Sequence, residues 1–405
     1  MRSLAQTSID SPQAESIDYK SIALLSAAHL TDDLNQGVVP AMLPFFMAAN
    51  HLTYAAAAGL ILAQTLSSSV VQPLFGLLAD RQPSPWLIPV GLGFAGLGVA
   101  LSGLAPTYGL IFAAIALSGL GISAFHPEAA RRVRYLSGSR QATTMSLFTV
   151  GGMAGFALGP LAITPIVIEF GLHGAVVLAL PVLVMSIALT YQLPRLAAAH
   201  ASLSIGTRGR VLVDSAEQWN DFVRLTVMVV LRSMVFFGLN TFIPLYWTHV
   251  LGGTRTGGGI ALTTMLAAVT VGTLLGGRLA DRYGRKIVIV IAMGTLAPLL
   301  LVFLSQHGLT SAGILLVPVG IALAAPTSVV VVMAQEYLPN RVGLAAGVTL
   351  GLSMTIGGLM MPLFGSIADH YGLTTTMFLL SLVPLVSCAV SLTLHEPGVI
   401  VSEPI

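Results

Sequence analysis

The block Gly277-Arg278-Leu279-Ala280-Asp281-Arg282-Tyr283-Gly284-Arg285-Lys286 has a forerunner, Gly76-Leu77-Leu78-Ala79-Asp80-Arg81, and Asp281 follows Asp80 by 201 residues. Three proline pairs keep nearly that distance: Pro44 and Pro244 are 200 apart, Pro127 and Pro326 are 199, Pro160 and Pro362 are 202. A spacing that survives along a chain marks two copies of one unit. Both copies of the block stand at the ends of apolar runs, so each unit is expected to be a membrane bundle. Glycine at the head of the block lets helices approach closely in lipid, and the basic residues behind it mark the exit from hydrocarbon.

Composition supports this. Hydrophobic residues are 55% and charged residues 8%, against roughly 45–50% and about 25% in soluble domains. A spanning helix needs about 20 apolar residues, and suitable runs fall at 21–48, 54–79, 86–105, 108–134, 141–169, 172–193, 223–250, 257–280, 287–305, 310–337, 342–368 and 373–394. The expected fold class is an all-α membrane protein of about twelve transmembrane helices in two pseudo-symmetric six-helix bundles. The expected domains are a cytoplasmic tail 1–20, a first bundle 21–193, a cytoplasmic linker 194–222, a second bundle 223–394 and a cytoplasmic tail 395–405. With the N-terminus inside, 16 of the 18 basic residues face the cytoplasm, Arg255 falling in an outer loop and Arg232 within a helix. That bias follows the positive-inside rule and places both termini in the cytoplasm. Residues 1–19 lack an apolar core, so no cleavable signal peptide is expected. Cys388 is the single cysteine, which excludes an internal disulfide.

A charge at the bilayer centre costs about 2.5–3.5 kcal/mol on insertion scales and persists where it has a partner or a task. The first run carries His29-Leu30-Thr31-Asp32-Asp33-Leu34-Asn35-Gln36, in which His29 and Asp33 share a helix face. Adjacent acids on a helix point in different directions, so one of Asp32 and Asp33 faces a cavity and the other makes a local contact. The fourth run carries His126-Pro127-Glu128 with Arg131 and Arg132 following. Glu128 either couples protons or anchors those arginines, and His126 either carries a proton or packs beside the proline. Pro127 is expected to bend or break its helix, with Pro326 as its match in the tenth run. Arg232 lies 200 residues after Asp32, so the repeat sets it opposite the acids. No acid stands within four residues, so its partner must be another helix or the ligand. The glycines of Gly151-Gly152-Met153-Ala154-Gly155 and Gly159, and Gly351, Gly357 and Gly358, serve close packing or a hinge.

These residues resemble the major facilitator superfamily. The complete block at 277–286 matches that superfamily's loop motif, and Gly155…Gly159-Pro160 is similar to a fifth-helix motif of its antiporters. Over about residues 26–161 the chain also resembles the fosmidomycin resistance family. The matching residues are His29…Asp33, Ser68-Ser69…Gln72-Pro73, Pro83-Ser84-Pro85-Trp86, Phe125-His126-Pro127-Glu128 and Ser137-Gly138. The chain departs from the superfamily at Pro83-Ser84-Pro85, where glycine and two basic residues are usual, and at Ile163-Thr164, where a glycine pair is usual. The resemblance implies the major facilitator fold, a central cavity lined by the first, fourth, seventh and tenth helices, and a monomer. It favours Asp33 over Asp32 as the cavity acid. The family's phosphonate drug is anionic, which suits an intramembrane arginine.

The expected function is a proton-coupled antiporter exporting small molecules or drugs across the inner membrane by alternating access. An acid's protonation follows its surroundings, so Asp33, Glu128, Asp32 and His126 are the proton-coupling candidates. Arg232, Asn240, Gln36 and His29 are the substrate-binding candidates. Gly76, Asp80, Arg81, Arg131, Gly277, Asp281, Arg282 and Arg285 are expected to form inner-side contacts that gate the cavity. The expected partners are protons, a small-molecule substrate and the bilayer, with no nucleic acid. The alternatives are an uptake symporter for an organic acid or sugar and, more remotely, a non-transporting sensor or enzyme. Nothing suggests an enzyme, a cofactor or a metal: there is no Gly-x-Ser-x-Gly, no phosphate loop, and no second histidine at helical spacing from His126.

Overall fold

The computed structural model describes residues 18–81, 84–137, 141–198, 217–341, 344–345 and 347–396, without the side chains of residues 77, 79–81, 141–142, 197–198 and 350. Most of the two tails, most of the linker, and the Asp80 and Arg81 side chains therefore lie outside the described residues. The helices are α1 (Tyr19–Asn50), α2 (Tyr54–Arg81), α3 (Leu87–Leu104), α4 (Tyr108–Leu136), α5 (Gln141–Phe170), α6 (Ala179–Ala198) and α7 (Trp219–His249). They continue as α8 (Arg255–Tyr283), α9 (Arg285–Leu304), α10 (Leu309–Ala324), α11 (Thr327–Tyr337), α12 (Ser353–Leu359), α13 (Met361–Tyr371) and α14 (Leu373–Leu392). Among the described residues, eleven helical stretches are long and apolar enough to cross a membrane. α1 is long enough at 32 residues and is not one of the eleven, because its middle carries the polar run from His29 to Gln36. Large apolar side chains cover the exterior, Leu180 and Ile314 being about two-thirds exposed, as suits lipid rather than water.

The two prolines of the repeat act differently. α10 ends just before Pro326 and α11 begins after it, whereas α4 runs through Pro127 without a break. Proline removes one backbone donor from its turn. In α4 the neighbouring His126 Nδ1 donates to Ile122 O at 2.9 Å, a side-chain bond one residue before the carbonyl that Pro127 leaves free. The eleventh crossing is also segmented, with a π-helical turn at Gly347–Leu352 leading into α12, and α13 following at Met361.

Helix pairings repeat when shifted by six crossings. α1 packs on α5 as α7 packs on α12; α2 on α4 as α8 on α10; α3 on α6 as α9 on α14. The two halves meet through α2 with α13 and α5 with α8, a pair that the same shift exchanges. Glycines set the closest approaches. A Cβ on Gly155 would strike the Leu30 carbonyl, and one on Gly37 the Phe156 carbonyl, so α1 and α5 touch backbone to backbone. Gly357 meets the Ser233 backbone in the equivalent place.

The face bearing Asp18 and His395 is tied by ion pairs and main-chain bonds. Arg195 forks onto Asp18 at 2.8 Å, His395 Nδ1 meets Asp221 at 3.0 Å, and Gln218 N donates to Tyr337 O at 2.8 Å. At the opposite face the halves are closed together. Asp369 on α13 accepts from the first amides of α2, Tyr54 N at 2.7 Å and Ala55 N at 3.0 Å, where the helix dipole favours an anion. Gly365 fits against the same turn, and Gly259 of α8 against Thr164 of α5. Removing a helix cap costs about 1 kcal/mol, so Asp369→Ala is expected to raise the population opened at this face about fivefold. Spin-label distances between α2 and α13 measure that shift.

Candidate functional site

α1 and α4 bring their polar residues together in mid-bundle. His29 Nδ1 donates to Phe148 O on α5 at 2.8 Å, and its ring stacks on Phe148 at 4.1 Å between centroids. Its Nε2 lies 3.2 Å from His126 Nε2 and 3.3 Å from Asp33 Oδ2. His126 Nε2 lies 3.2 Å from Asp33 Oδ1, and its Nδ1 is 3.7 Å from the fully buried Asp32. α5 leaves room for this cluster at Gly152, where a Cβ would collide with Asp33 Oδ2 and His29 Nε2. Among the described residues His29, Asp33 and His126 are also the group whose ligand atoms are mutually close enough, within 4.8 Å, for a metal ion.

A cavity of about 630 Å³ opens beside the cluster, with Asp33 and His126 in its wall. Across it stands Arg232, 8% exposed, donating long hydrogen bonds to Leu323 O at 3.4 Å and Thr327 Oγ1 at 3.3 Å. Its Nε is buried without a partner. Among the described residues no acid pairs with it. The cavity reaches towards the face of Asp18 and His395, past Gly76, Thr273 and Gly347, and is sealed on the other side by the α2–α13 and α5–α8 contacts.

The remaining predicted residues divide clearly. Gln36 and Gly76 line the cavity. Glu128 does not; it is fully buried between Arg132 at 2.7 Å and Arg131 at 3.1 Å, and Arg132 also holds Leu196 O at 2.8 Å. That is the anchoring arrangement. Asn240 is buried within α7, donating to Phe236 O at 2.8 Å, and is outside the cavity wall. Asp281 is exposed and makes no ion pair among the described residues, Arg282 lies over Tyr283, and Arg285 pairs with Glu336. Gly277 sits beside Ser328.

Sequence reasoning passed over most of the wall, although the repeat offset contained it. Ser69 with Thr270, Gln72 with Thr273, Met153 with Met354 and Ile122 with Leu323 are each 201 residues apart, and all eight line the cavity. The chamber therefore lies on the pseudo-symmetry axis. Its chemistry lies where the symmetry fails: at the 200-residue spacing of Pro44 and Pro244, Asp33 and Gln36 of α1 correspond to Ser233 and Phe236 of α7.

A helical membrane protein with a pseudo-twofold axis and a polar chamber on it, open at one face, is built as a transporter. The sequence profile described as Major Facilitator Superfamily matches residues 25–258 and 225–403, and the chain belongs to that superfamily. It is similar to the fosmidomycin resistance protein of Escherichia coli (strain K12), 30% identical over 367 residues and 90% of each chain. It is also similar to the uncharacterized MFS-type transporter YfnC of Bacillus subtilis (strain 168), 29% identical over 379 residues and 90% of each chain. Among solved structures, a mutant of the nucleoside transporter NupG superposes with a TM-score of 0.78 at 12% identity, covering 93% of this chain and 100% of that one. A bacterial homologue of the human lysosomal transporter Spinster, inward-facing and occupied, gives 0.75 at 15% identity, covering 93% and 97%. The protein is a transporter of the major facilitator fold and not an enzyme.

Proposed function

We propose that the chain is a proton-coupled antiporter that exports small anionic molecules across the cytoplasmic membrane, with both termini in the cytoplasm. The observation carrying this is the pairing, across one cavity, of a proton-accepting cluster at Asp33 and His126 with an arginine that no acid among the described residues neutralises. Similarity to a fosmidomycin resistance protein over 90% of both chains supports export as the direction. Arg232 takes the anionic group of the substrate, and a hydrogen-bond donor elsewhere on the substrate competes with the proton for Asp33. Gln36, Gln72 and the Thr270–Thr273 face offer polar contacts, and the Phe156–Phe236 pair, 6.1 Å between centroids, offers an apolar shelf. The chain acts as a monomer whose bundles 21–193 and 223–394 rock about the site, and the blocks at Asp80 and Asp281 close the cytoplasmic side in the opposite state.

Truncating one member of a buried charge pair costs about 2–5 kcal/mol, or ~30- to ~4000-fold in affinity. Arg232→Ala is expected to weaken binding of fosmidomycin, used as the probe anion, within that range. Calorimetry on purified protein measures it, and unchanged affinity removes Arg232 from the site. A resistance panel in an efflux-deficient host tests export itself.

That no acid among the described residues pairs with Arg232 also favours a second reading. A proton on the cluster makes the cavity more positive and helps an anion to bind, which is the sign of symport. The direction of proton flow during downhill substrate movement in liposomes separates the two: entry of protons against substrate exit is antiport, and movement together is symport.

A further inference from the structure

Hydrogen-bond accounting in the cluster leads to a proton shared between two rings. Main-chain carbonyls only accept hydrogen bonds. His29 Nδ1 on Phe148 O and His126 Nδ1 on Ile122 O must therefore both carry hydrogen. A neutral imidazole has one N–H, so both Nε2 atoms are left as bare lone pairs. They face each other at 3.2 Å, and each also faces an Asp33 oxygen at 3.2–3.3 Å. An ionised Asp33 has nothing to donate either. Three acceptors thus converge with no hydrogen among them, in a place where unpaired lone pairs are costly.

We propose that this cluster holds a proton between His29 Nε2 and His126 Nε2, and that His29, on the first helix, shares the coupling proton with His126 on the fourth. With the proton on His126, its Nε2–H donates to His29 Nε2, and the imidazolium so formed lies 3.2 Å from Asp33 Oδ1, whose charge compensates it. Loss of the proton to cavity water breaks that N–H bond, leaves its electron pair on the ring, and restores three mutually repelling acceptors. The loaded cluster binds α1 to α4, and through Phe148 to α5; the unloaded cluster pushes α1 and α4 apart. Proton release is in this way tied to movement within the first bundle. The groups facing the cluster are consistent with a cation there. Asp32 on α1 lies 3.7 Å from His126 with neither oxygen hydrogen-bonded, and Arg232 on α7 shares the cavity. Glu128 on α4 is taken by Arg131 and Arg132. From α5 the Phe148 carbonyl and ring and the gap at Gly152 meet the cluster, none of them charged, and α2 presents Ser68 and Gln72 to the same cavity. The role in transport rests on the proton-coupled reading above; the shared proton itself does not.

The test is nitrogen-15 histidine NMR on the full chain in nanodiscs, comparing wild type with His29→Gln and His126→Gln. One strongly downfield Nε2–H signal is expected in the wild type, lost in each single variant, and lost from the wild type as pH rises. No such signal, or a signal removed by only one of the substitutions, overturns the proposal. So does a wild-type spectrum that changes on treatment with a chelator while zinc is released at one ion per chain, because a metal then fills the place of the proton. Should one variant not fold, the pH response of the wild-type signal and the other variant still decide. Transport indifferent to a pH gradient, with the shared signal intact, overturns the coupling and leaves this site standing.

Discussion

Asp33→Asn is expected to abolish uphill transport while leaving downhill exchange of substrate intact. Asparagine keeps the volume and one acceptor oxygen of the side chain, so His29 and His126 retain a neighbour at the present 3.2–3.3 Å. It removes the negative charge that makes the cluster worth protonating. With a gradient of about two pH units and one proton per substrate, the accumulation ceiling is ~100-fold, since each tenfold corresponds to about 1.4 kcal/mol. The variant is expected to reach a ratio of about 1, the value for an uncoupled carrier. Proteoliposomes loaded with substrate give both measurements: concentrative flux under a pH gradient, and counterflow without one. Normal accumulation would show that the coupling proton binds elsewhere. Loss of counterflow as well would mean that Asp33 is needed for substrate binding or for the conformational change, not for coupling alone.

Glu128→Gln is expected to act on stability instead. Glu128 and Arg132 are both fully buried and 2.7 Å apart, with Arg131 on the second carboxylate oxygen at 3.1 Å. Removing one partner from a buried ion pair costs about 3–5 kcal/mol because a charge is left uncompensated. Two guanidinium groups would share that loss here. A sharp fall in the detergent unfolding midpoint is expected, with near-normal coupling in whatever fraction reconstitutes. A stable Glu128→Gln protein that transports without coupling would instead return this residue to the proton pathway. The Asp33 and Glu128 experiments together separate a coupling carboxylate from an anchoring one, although the two look alike as letters within an apolar run.

That likeness marks the reach of the sequence. Adjacent acids in α1 could be told apart only by resemblance, because helical spacing gives directions relative to one another and not relative to a neighbour. Glu128 and His126 are two residues apart in sequence and serve different surroundings. His126 turns towards α1 and the cavity, and Glu128 towards the arginines of the next turn. The ring partner of His29 lies 97 positions away on another helix, so no spacing within α1 reveals it. The Asn240 amide donates within its own helix, to a carbonyl four residues back.

The sequence by itself determined the class and plan of this protein. Apolar runs of spanning length exclude a water-soluble fold, and an offset of about 201 residues requires two copies of one unit, because both are properties of spacing along the chain. Even the paired walls of the chamber, Gln72 with Thr273 and Met153 with Met354, follow from that offset. Only the tertiary structure decided which stranded charges meet. The convergence of His29, Asp33 and His126 needs α1 and α4 at one separation, a carbonyl from α5 to fix one ring, and an empty position at Gly152 to admit them. Contacts between helices depend on the angle and distance at which they pack, and no period within a single helix encodes either.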